Sequence, residues 1–119
     1  MNQTEGLVQK IVEGLQEKKG KDIVTVDLSD IPGAICDYLV ICTGNTPTQV
    51  AALADSVWDY VNRQLREKPL SIDASQKEDW IGMDYGTVIV HIFVPELRTF
   101  YNIENLWADA PLSRVPDLD

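Results

Sequence analysis

Apolar residues recur at helical spacing in two long segments of the chain. In the first segment they fall on one face of a helix, and charged residues occupy the other face. The apolar positions are Leu7, Val8, Ile11, Val12 and Leu15. The sequence Lys19-Gly20-Lys21 then ends the pattern, so we expect the first helix to finish there.

The second helical segment begins with the clearest local signal in the sequence. Thr46 stands as the N-cap, Pro47 at the first helical position and Gln49 three residues after the cap. The apolar positions that follow keep helical spacing until Lys68-Pro69. They are Val50, Leu53, Ala54, Val57, Trp58, Val61 and Leu65. This pattern predicts a long helix that packs one face against a sheet.

Short runs of β-branched and apolar residues indicate five strands. These runs are 23–28, 38–43, 70–72, 80–84 and 87–94. The run 38–43 is almost continuously apolar, which is typical of a strand covered on both faces. The last two runs flank Tyr85-Gly86 and predict a hairpin, while strand 38–43, the long helix and the next strand predict a βαβ unit. We therefore expect one α/β domain over residues 1–119.

The last part of the chain has a weaker pattern. Pro95 opens a helical turn in which Leu97, Phe100 and Tyr101 share a face. From residue 112 to residue 119 the chain has little to bury, so we expect a frayed tail.

The charge balance restricts the partners that this chain can bind. With 19 acidic and 10 basic residues, the net charge is -9, which argues against direct binding to DNA or to an anionic membrane. No basic and apolar leader and no apolar run of membrane-spanning length occurs. Two separated cysteines, Cys36 and Cys42, fit a reducing compartment. We expect a cytoplasmic protein.

Catalytic and metal-binding chemistry find little support in the sequence. His91 is the single histidine, it lies within an apolar strand, and no G-x-S-x-G motif accompanies it. A metal site would need carboxylates alone, and none are spaced for that. The loop Thr43–Pro47 stands where a phosphate-binding loop would, but it lacks the glycine-rich motifs, and Pro47 removes an amide. A structural, capped turn is favoured there.

Aromatic and acidic residues are concentrated towards the C-terminus. Residues 77–119 carry eight acidic and three basic side chains, together with Trp80, Tyr85, Phe100, Tyr101 and Trp107. Aromatic anchors among carboxylates are typical of an interface for a basic protein partner. We therefore expect a protein-binding face in this part of the chain.

Several segments of the sequence carry a resemblance to a known family. They are Asp37–Gly44, Gln49-Val50, Trp80–Phe93 (WIGMDYGTVIVHIF), Glu96–Tyr101 and Leu106–Pro111. On these segments the chain resembles the ribosomal silencing factor family, also called Iojap-like, over residues 5–112.

The resemblance implies a fold, a partner and a mechanism. The fold would be an α/β domain with a mixed sheet, related to nucleotidyltransferases but without catalytic residues, cofactor or metal. Members bind ribosomal protein uL14 on the large ribosomal subunit, block joining of the small subunit and so repress translation when nutrients are limited. Homodimers are common in the family. An acidic chain is also suited to choosing a basic ribosomal protein over ribosomal RNA.

From these residues we predict one partner-binding face. Trp80 and Tyr85 would be its apolar anchors, and Asp84 and Glu96 its charged contacts. The full set is Trp80, Asp84, Tyr85, His91, Glu96, Arg98 and Tyr101. Two alternatives remain open: nucleotide binding or nucleotidyl transfer at the Gly44 loop, and a structural dimer in which the C-terminal aromatics meet their symmetry mates.

Overall fold

The computed structural model describes residues 2–107 and 109–118 of the chain. Its helices are α1 (Gln3–Glu17), α2 (Pro47–Leu65) and α3 (Pro95–Tyr101), and a single 3-10 turn follows at Ile103–Asn105. Its strands are β1 (Lys21–Asp27), β2 (Tyr38–Thr43), β3 (Ser71–Ala74), β4 (Trp80–Asp84), β5 (Val88–Phe93) and β6 (Leu112–Val115).

The strands form one mixed sheet with the order β3-β4-β5-β2-β1-β6. β2 and β5 pair in parallel, whereas the other neighbours pair antiparallel. The described chain is therefore a single α/β domain with a mixed sheet, as expected. The predicted relation to the nucleotidyltransferase fold stays a prediction.

The number of strands and the state of the tail differ from the prediction. The sheet has six strands rather than five, because residues 112–115 of the expected frayed tail form β6 beside β1. Ile23 pairs with Val115 and Val26 with Leu112. β6 is an edge strand with little burial, so backbone hydrogen bonds rather than an apolar pattern hold it in place. Asp119 lies outside the described residues.

The connections along the chain follow the sequence pattern in part. β4 and β5 form the predicted antiparallel hairpin, with Trp80 opposite Phe93 and Asp84 opposite Ile89. α2 does cross over the sheet from β2, but β3 lies at the far edge and pairs with β4. Two strands, β4 and β5, lie between β3 and β2 in the sheet. The strand that pairs in parallel with β2 is therefore β5 and not β3.

Each face of the sheet has its own apolar cluster. On the first, here called the α1–α2 face, alternate residues of β2, β4 and β5 pack against both long helices. On the second, here called the α3 face, the opposite residues pack against the loop after β1 and against the segment that contains α3. Residues 40 to 42 of β2 are fully buried, so this strand belongs to both clusters.

Local sequence signals set the helix boundaries. The Asn2 side chain accepts a hydrogen bond from the Glu5 amide (2.8 Å) and starts α1. Thr46 Oγ1 accepts from the Gln49 amide (3.1 Å) and starts α2, which ends at Arg66 in a left-handed conformation (φ 58°). Within the described residues, no helix has the length and apolar character needed to cross a membrane.

Loss of a buried α2 side chain should measurably destabilise the domain. Leu53 is fully buried between α2 and the sheet, so Leu53→Ala should lower the free energy of unfolding by about 3 kcal/mol through lost burial and a cavity. Urea denaturation at neutral pH measures this change. Gln64→Ala, at an exposed position of the same helix, is the control; equal effects of the two variants would contradict the assigned core.

Candidate functional site

Aromatic side chains form a continuous row on the α3 face of the sheet. The ring centroids of Trp80 and His91 lie 6.0 Å apart, those of His91 and Phe93 5.8 Å, and those of Phe93 and Tyr101 5.9 Å. Phe100 meets Tyr101 edge to face at 5.2 Å. Such spacings are typical of favourable aromatic pairs. We call these five residues the aromatic surface.

Trp80 is held in place by a hydrogen bond and by a glycine. Its Nε1–H donates to His91 Nδ1 at 3.1 Å, which requires that Nδ1 be unprotonated and that a neutral imidazole carry its proton on Nε2. The indole lies across Gly82, where an added Cβ would come within 2.7 Å of Trp80 Cζ2. Glycine at position 82 therefore lets the ring lie flat against the strand.

Burial favours the neutral imidazole that this hydrogen bond requires. His91 is partly buried, and desolvation lowers its pKa below the ordinary value of 6.5. The imidazole in the aromatic surface is therefore uncharged at neutral pH.

α3 carries the solvent-facing end of the aromatic surface. Phe100 is 77% exposed and Tyr101 53% exposed, although both are large apolar or aromatic side chains. None of the seven residues of α3 is fully buried. The helix therefore displays its aromatic rings to solvent.

A small apolar groove lies between the strands and α3. It has a volume of about 250 Å³ and is open to solvent. Its lining residues are Ser75, Trp80, His91, Phe93, Leu97, Tyr101 and Ile103. A groove of this kind can accept an apolar part of a partner side chain.

Arg98 lies behind α3 rather than on its exposed side. Its Nε and Nη2 donate to the two carboxylate oxygens of Glu104, both at 3.0 Å. Nη1 donates to Thr43 Oγ1 at 2.8 Å and also to the backbone carbonyl of Asp22. Only 11% of the Arg98 side chain and 13% of the Glu104 side chain is exposed. Arg98 thus supports the surface from behind, with most of its side chain enclosed by its own partners.

Two of the seven predicted site residues lie away from the aromatic surface. Asp84 is at the other end of β4 from Trp80, a separation of four residues or about 13 Å along a strand. Its Oδ1 accepts the Gly86 amide at 2.7 Å. Tyr85 packs against the opposite, α1–α2 face, so it is not an anchor of the same surface.

The Tyr85 hydroxyl is buried. Within residues 2–107 and 109–118 it has no hydrogen-bond partner. Burial, with a smaller contribution from the charge of Glu67, raises the pKa of Tyr85. The phenol therefore stays neutral inside the fold.

The remaining predicted contact, Glu96, is exposed in the first turn of α3. Of the seven predicted residues, the structure therefore brings Trp80, His91 and Tyr101 together, places Glu96 beside them on α3 and puts Arg98 behind them. The predicted set lacks Phe93 and Phe100 of the aromatic surface, Gly82, and the groove residues Ser75, Leu97 and Ile103. The signal for Phe93 was present, because it lies two residues after His91 and so on the same face of β5.

The two cysteines and the serine that borders the groove have surroundings that do not activate them as nucleophiles. Burial raises the pKa of the Cys42 thiol to about 12 and also raises that of Cys36. Ser75 borders the groove near His91, but its Oγ donates to Asp79 Oδ1 at 2.5 Å. His91 Nδ1, the atom that would donate to the carboxylate of a triad, instead accepts from Trp80. No cluster of three metal-ligating side chains occurs in the described part of the chain.

The loop at Gly44 uses the amides of Gly44 and Asn45 within the fold. The Gly44 amide donates to the Phe93 carbonyl at 2.9 Å, and the Asn45 amide donates to Gln49 Oε1 at 2.8 Å. The Gln49 amide is bonded to Thr46, and Pro47 has no amide hydrogen. These bonds fit the capped structural turn better than a phosphate cradle.

Comparison with known proteins identifies related chains. The family described as "Ribosomal silencing factor during starvation" matches residues 1–119. A ribosomal silencing factor from Bacillus subtilis is 34% identical over 122 residues, which cover all of this chain and 96% of that one. A crystal structure from Chromobacterium violaceum is 28% identical and superposes with a TM-score of 0.83, covering 97% of this chain and 94% of the other.

A more distant relative comes from mouse and is named "Mitochondrial assembly of ribosomal large subunit protein 1". It is 27% identical over 104 residues, which cover 84% of this chain and 44% of the mouse protein. The similarity therefore concerns one part of a longer chain.

The pH dependence of stability should report the buried imidazole. Because the folded pKa of His91 is lowered, the unfolded chain binds a proton at higher pH, and stability falls as the pH drops below about 6.5. We expect the wild-type chain to lose more unfolding free energy between about pH 7 and about pH 5 than His91→Asn, whose amide oxygen can still accept from Trp80. Urea denaturation at both pH values gives the difference. Identical losses in the two proteins would show that protonation of His91 does not affect the free energy of unfolding.

Proposed function

Because this chain belongs to the ribosomal silencing factor family, we propose that it binds the large ribosomal subunit at ribosomal protein uL14 through the aromatic surface. The bound protein would sterically block joining of the small subunit and repress translation when nutrients are limited. The mechanism needs binding alone and no chemical step.

One observation carries this proposal, namely that two adjacent aromatic rings of α3 are exposed to solvent. Phe100 and Tyr101 face solvent beside a groove, and Phe93 and His91 stack behind them on β5. Exposed apolar clusters of this kind mark sites of protein–protein interaction. Aromatic residues also supply much of the binding energy at such interfaces.

Charge supports a basic protein partner. The chain has a net charge of -9, and Glu96 is exposed on the same helix as Phe100 and Tyr101. A negative surface attracts a basic ribosomal protein and repels the phosphates of ribosomal RNA. The charge therefore favours a protein epitope on a surface rich in RNA.

The names of the relatives support a role that concerns the ribosome, which is less specific than the proposed binding to uL14. The Bacillus subtilis relative is named as a ribosomal silencing factor, and the mouse relative is named for assembly of the ribosomal large subunit. Both names concern the ribosome, and neither describes an enzyme. We further propose that the chain acts in the cytoplasm and forms a homodimer.

Truncation of the central indole should weaken binding to uL14. We expect Trp80→Ala to raise the dissociation constant by about 30-fold, equivalent to about 2 kcal/mol, because the ring forms one wall of the groove. Calorimetric titration against isolated uL14 measures the affinity, and sucrose gradients measure subunit joining in parallel. The variant should block joining less well at equal concentration.

Two further variants make this test specific. Tyr101→Ala removes an exposed ring and should also weaken binding, whereas Leu70→Ala removes a 77% exposed apolar residue outside the aromatic surface and should not. Equal affinity for all three variants would exclude the aromatic surface as the binding site. If the wild-type chain fails to bind uL14 at low salt, the proposed partner is wrong.

Association with uL14 should depend on salt and on Glu96. Because exposed carboxylates steer a basic partner, Glu96→Gln should slow association about threefold at low ionic strength and have little effect at high ionic strength. Stopped-flow mixing at two salt concentrations measures the rate constant. Glu17→Gln, at an exposed position on α1, is the matched control; a salt-independent rate would remove electrostatic steering from the proposal.

A further inference from the structure

α3 is too short to be stable on its own and buries little apolar surface. It has seven residues, whereas isolated helices shorter than about 12 residues are marginal in water. None of its side chains is fully buried, although Leu97 and Tyr101 pack partly against the sheet. The position of this helix must therefore depend on specific polar contacts.

Arg98 supplies these contacts at one end of the sheet. Lys21 of β1 pairs with Thr43 of β2, and Thr43 pairs with Phe93 of β5, so the ends of three strands lie side by side. The guanidinium reaches the first two of these strands through the Asp22 carbonyl and Thr43 Oγ1.

The same guanidinium also joins α3 to the turn that follows it. Both carboxylate oxygens of Glu104 accept from Arg98, and a bidentate pair fixes orientation as well as distance. Asn102, between the two residues, adopts a left-handed conformation (φ 49°) that turns the chain back toward Arg98. One side chain thus connects two strands, the helix and the turn.

The backbone that Arg98 binds is itself held firmly. Asp22 has a left-handed conformation (φ 50°), and its amide donates to Asp117 Oδ1 at 3.0 Å. Asp117 follows β6, so the segment after the edge strand holds the residue whose carbonyl accepts from Arg98. This arrangement gives α3 a fixed anchor on the sheet.

We propose that Arg98 is a positioning residue for partner binding: it holds α3 and the following turn so that Tyr101, Leu97 and Ile103 form one wall of the groove. This role rests on the proposed function of the aromatic surface, and Arg98 itself does not contact the partner. A Lys at position 98 keeps the charge but lacks the planar fork that donates to Glu104, Thr43 and Asp22 together.

The first measurement needs no partner. Amide hydrogen exchange of Arg98→Lys, followed at a temperature where the domain is folded, should show faster exchange confined to residues 98–106. Arg63→Lys, in the exposed ion pair with Asp59 on α2, is the matched control and should leave this segment unchanged. Unchanged exchange in Arg98→Lys would overturn the positioning role, whatever the partner proves to be.

The second measurement is a double-variant cycle of binding to uL14. If α3 is docked in only about one tenth of Arg98→Lys molecules, the dissociation constant rises about tenfold, which is the inverse of the docked fraction that exchange measures. In the Tyr101→Ala background this effect should be smaller, because Tyr101 is already removed from the wall and only Leu97 and Ile103 remain to be positioned. Fully additive losses would overturn the proposal by showing that Arg98 affects binding independently of the wall that contains Tyr101.

The two measurements distinguish failure of the proposed function from failure of the positioning role of Arg98. If wild-type protein does not bind uL14, the proposed function fails, while faster exchange in Arg98→Lys still shows that Arg98 docks α3. If wild-type protein binds and Arg98→Lys binds equally well, the positioning role fails and the proposed function stands.

Discussion

Burial of β2 on both faces is the constraint on which the rest of the fold depends. Residues 40 to 42 of this strand have no exposed surface, so one face must be covered by α1 and α2 and the other by α3 and its neighbouring loops. The parallel pairing with β5 then requires a long connection, which α2 and the β3–β4 hairpin provide. α3 follows directly from β5, and this places its aromatic rings at the end of the central strands.

The sequence was sufficient to predict those elements whose stability comes from periodic burial or from local caps. α2 is the clearest example, because Thr46, Pro47 and Gln49 mark its start and its buried residues keep helical spacing. β6 escaped prediction for the opposite reason: its four residues are mostly exposed, and its pairing with β1 joins segments that are distant in the chain. Strand order across the sheet also depends on such distant pairings, and no local pattern encodes it.

The aromatic surface was predictable in composition but not in geometry. Trp80, His91 and Tyr101 were identified as candidates, and β4–β5 pairing and α3 bring them together. Tyr85 shares their chemistry, yet it lies beyond the end of β4 and packs on the other face. Arg98 has the chemistry of an interface anchor, but its surroundings turn it inward. Residue type indicates what a side chain can do, whereas the direction in which it points follows from tertiary structure.

The absence of any fully buried side chain in α3 has a consequence for how such a domain can evolve. Substitutions at Glu96, Thr99 or Phe100 alter what the surface displays while removing few contacts from the core, since all three are exposed. Changes at Gly82 or Thr43 instead disturb a tightly packed or buried position. The fold thus separates the exposed residues of α3, whose substitution leaves the core intact, from those that must stay fixed for the surface to exist.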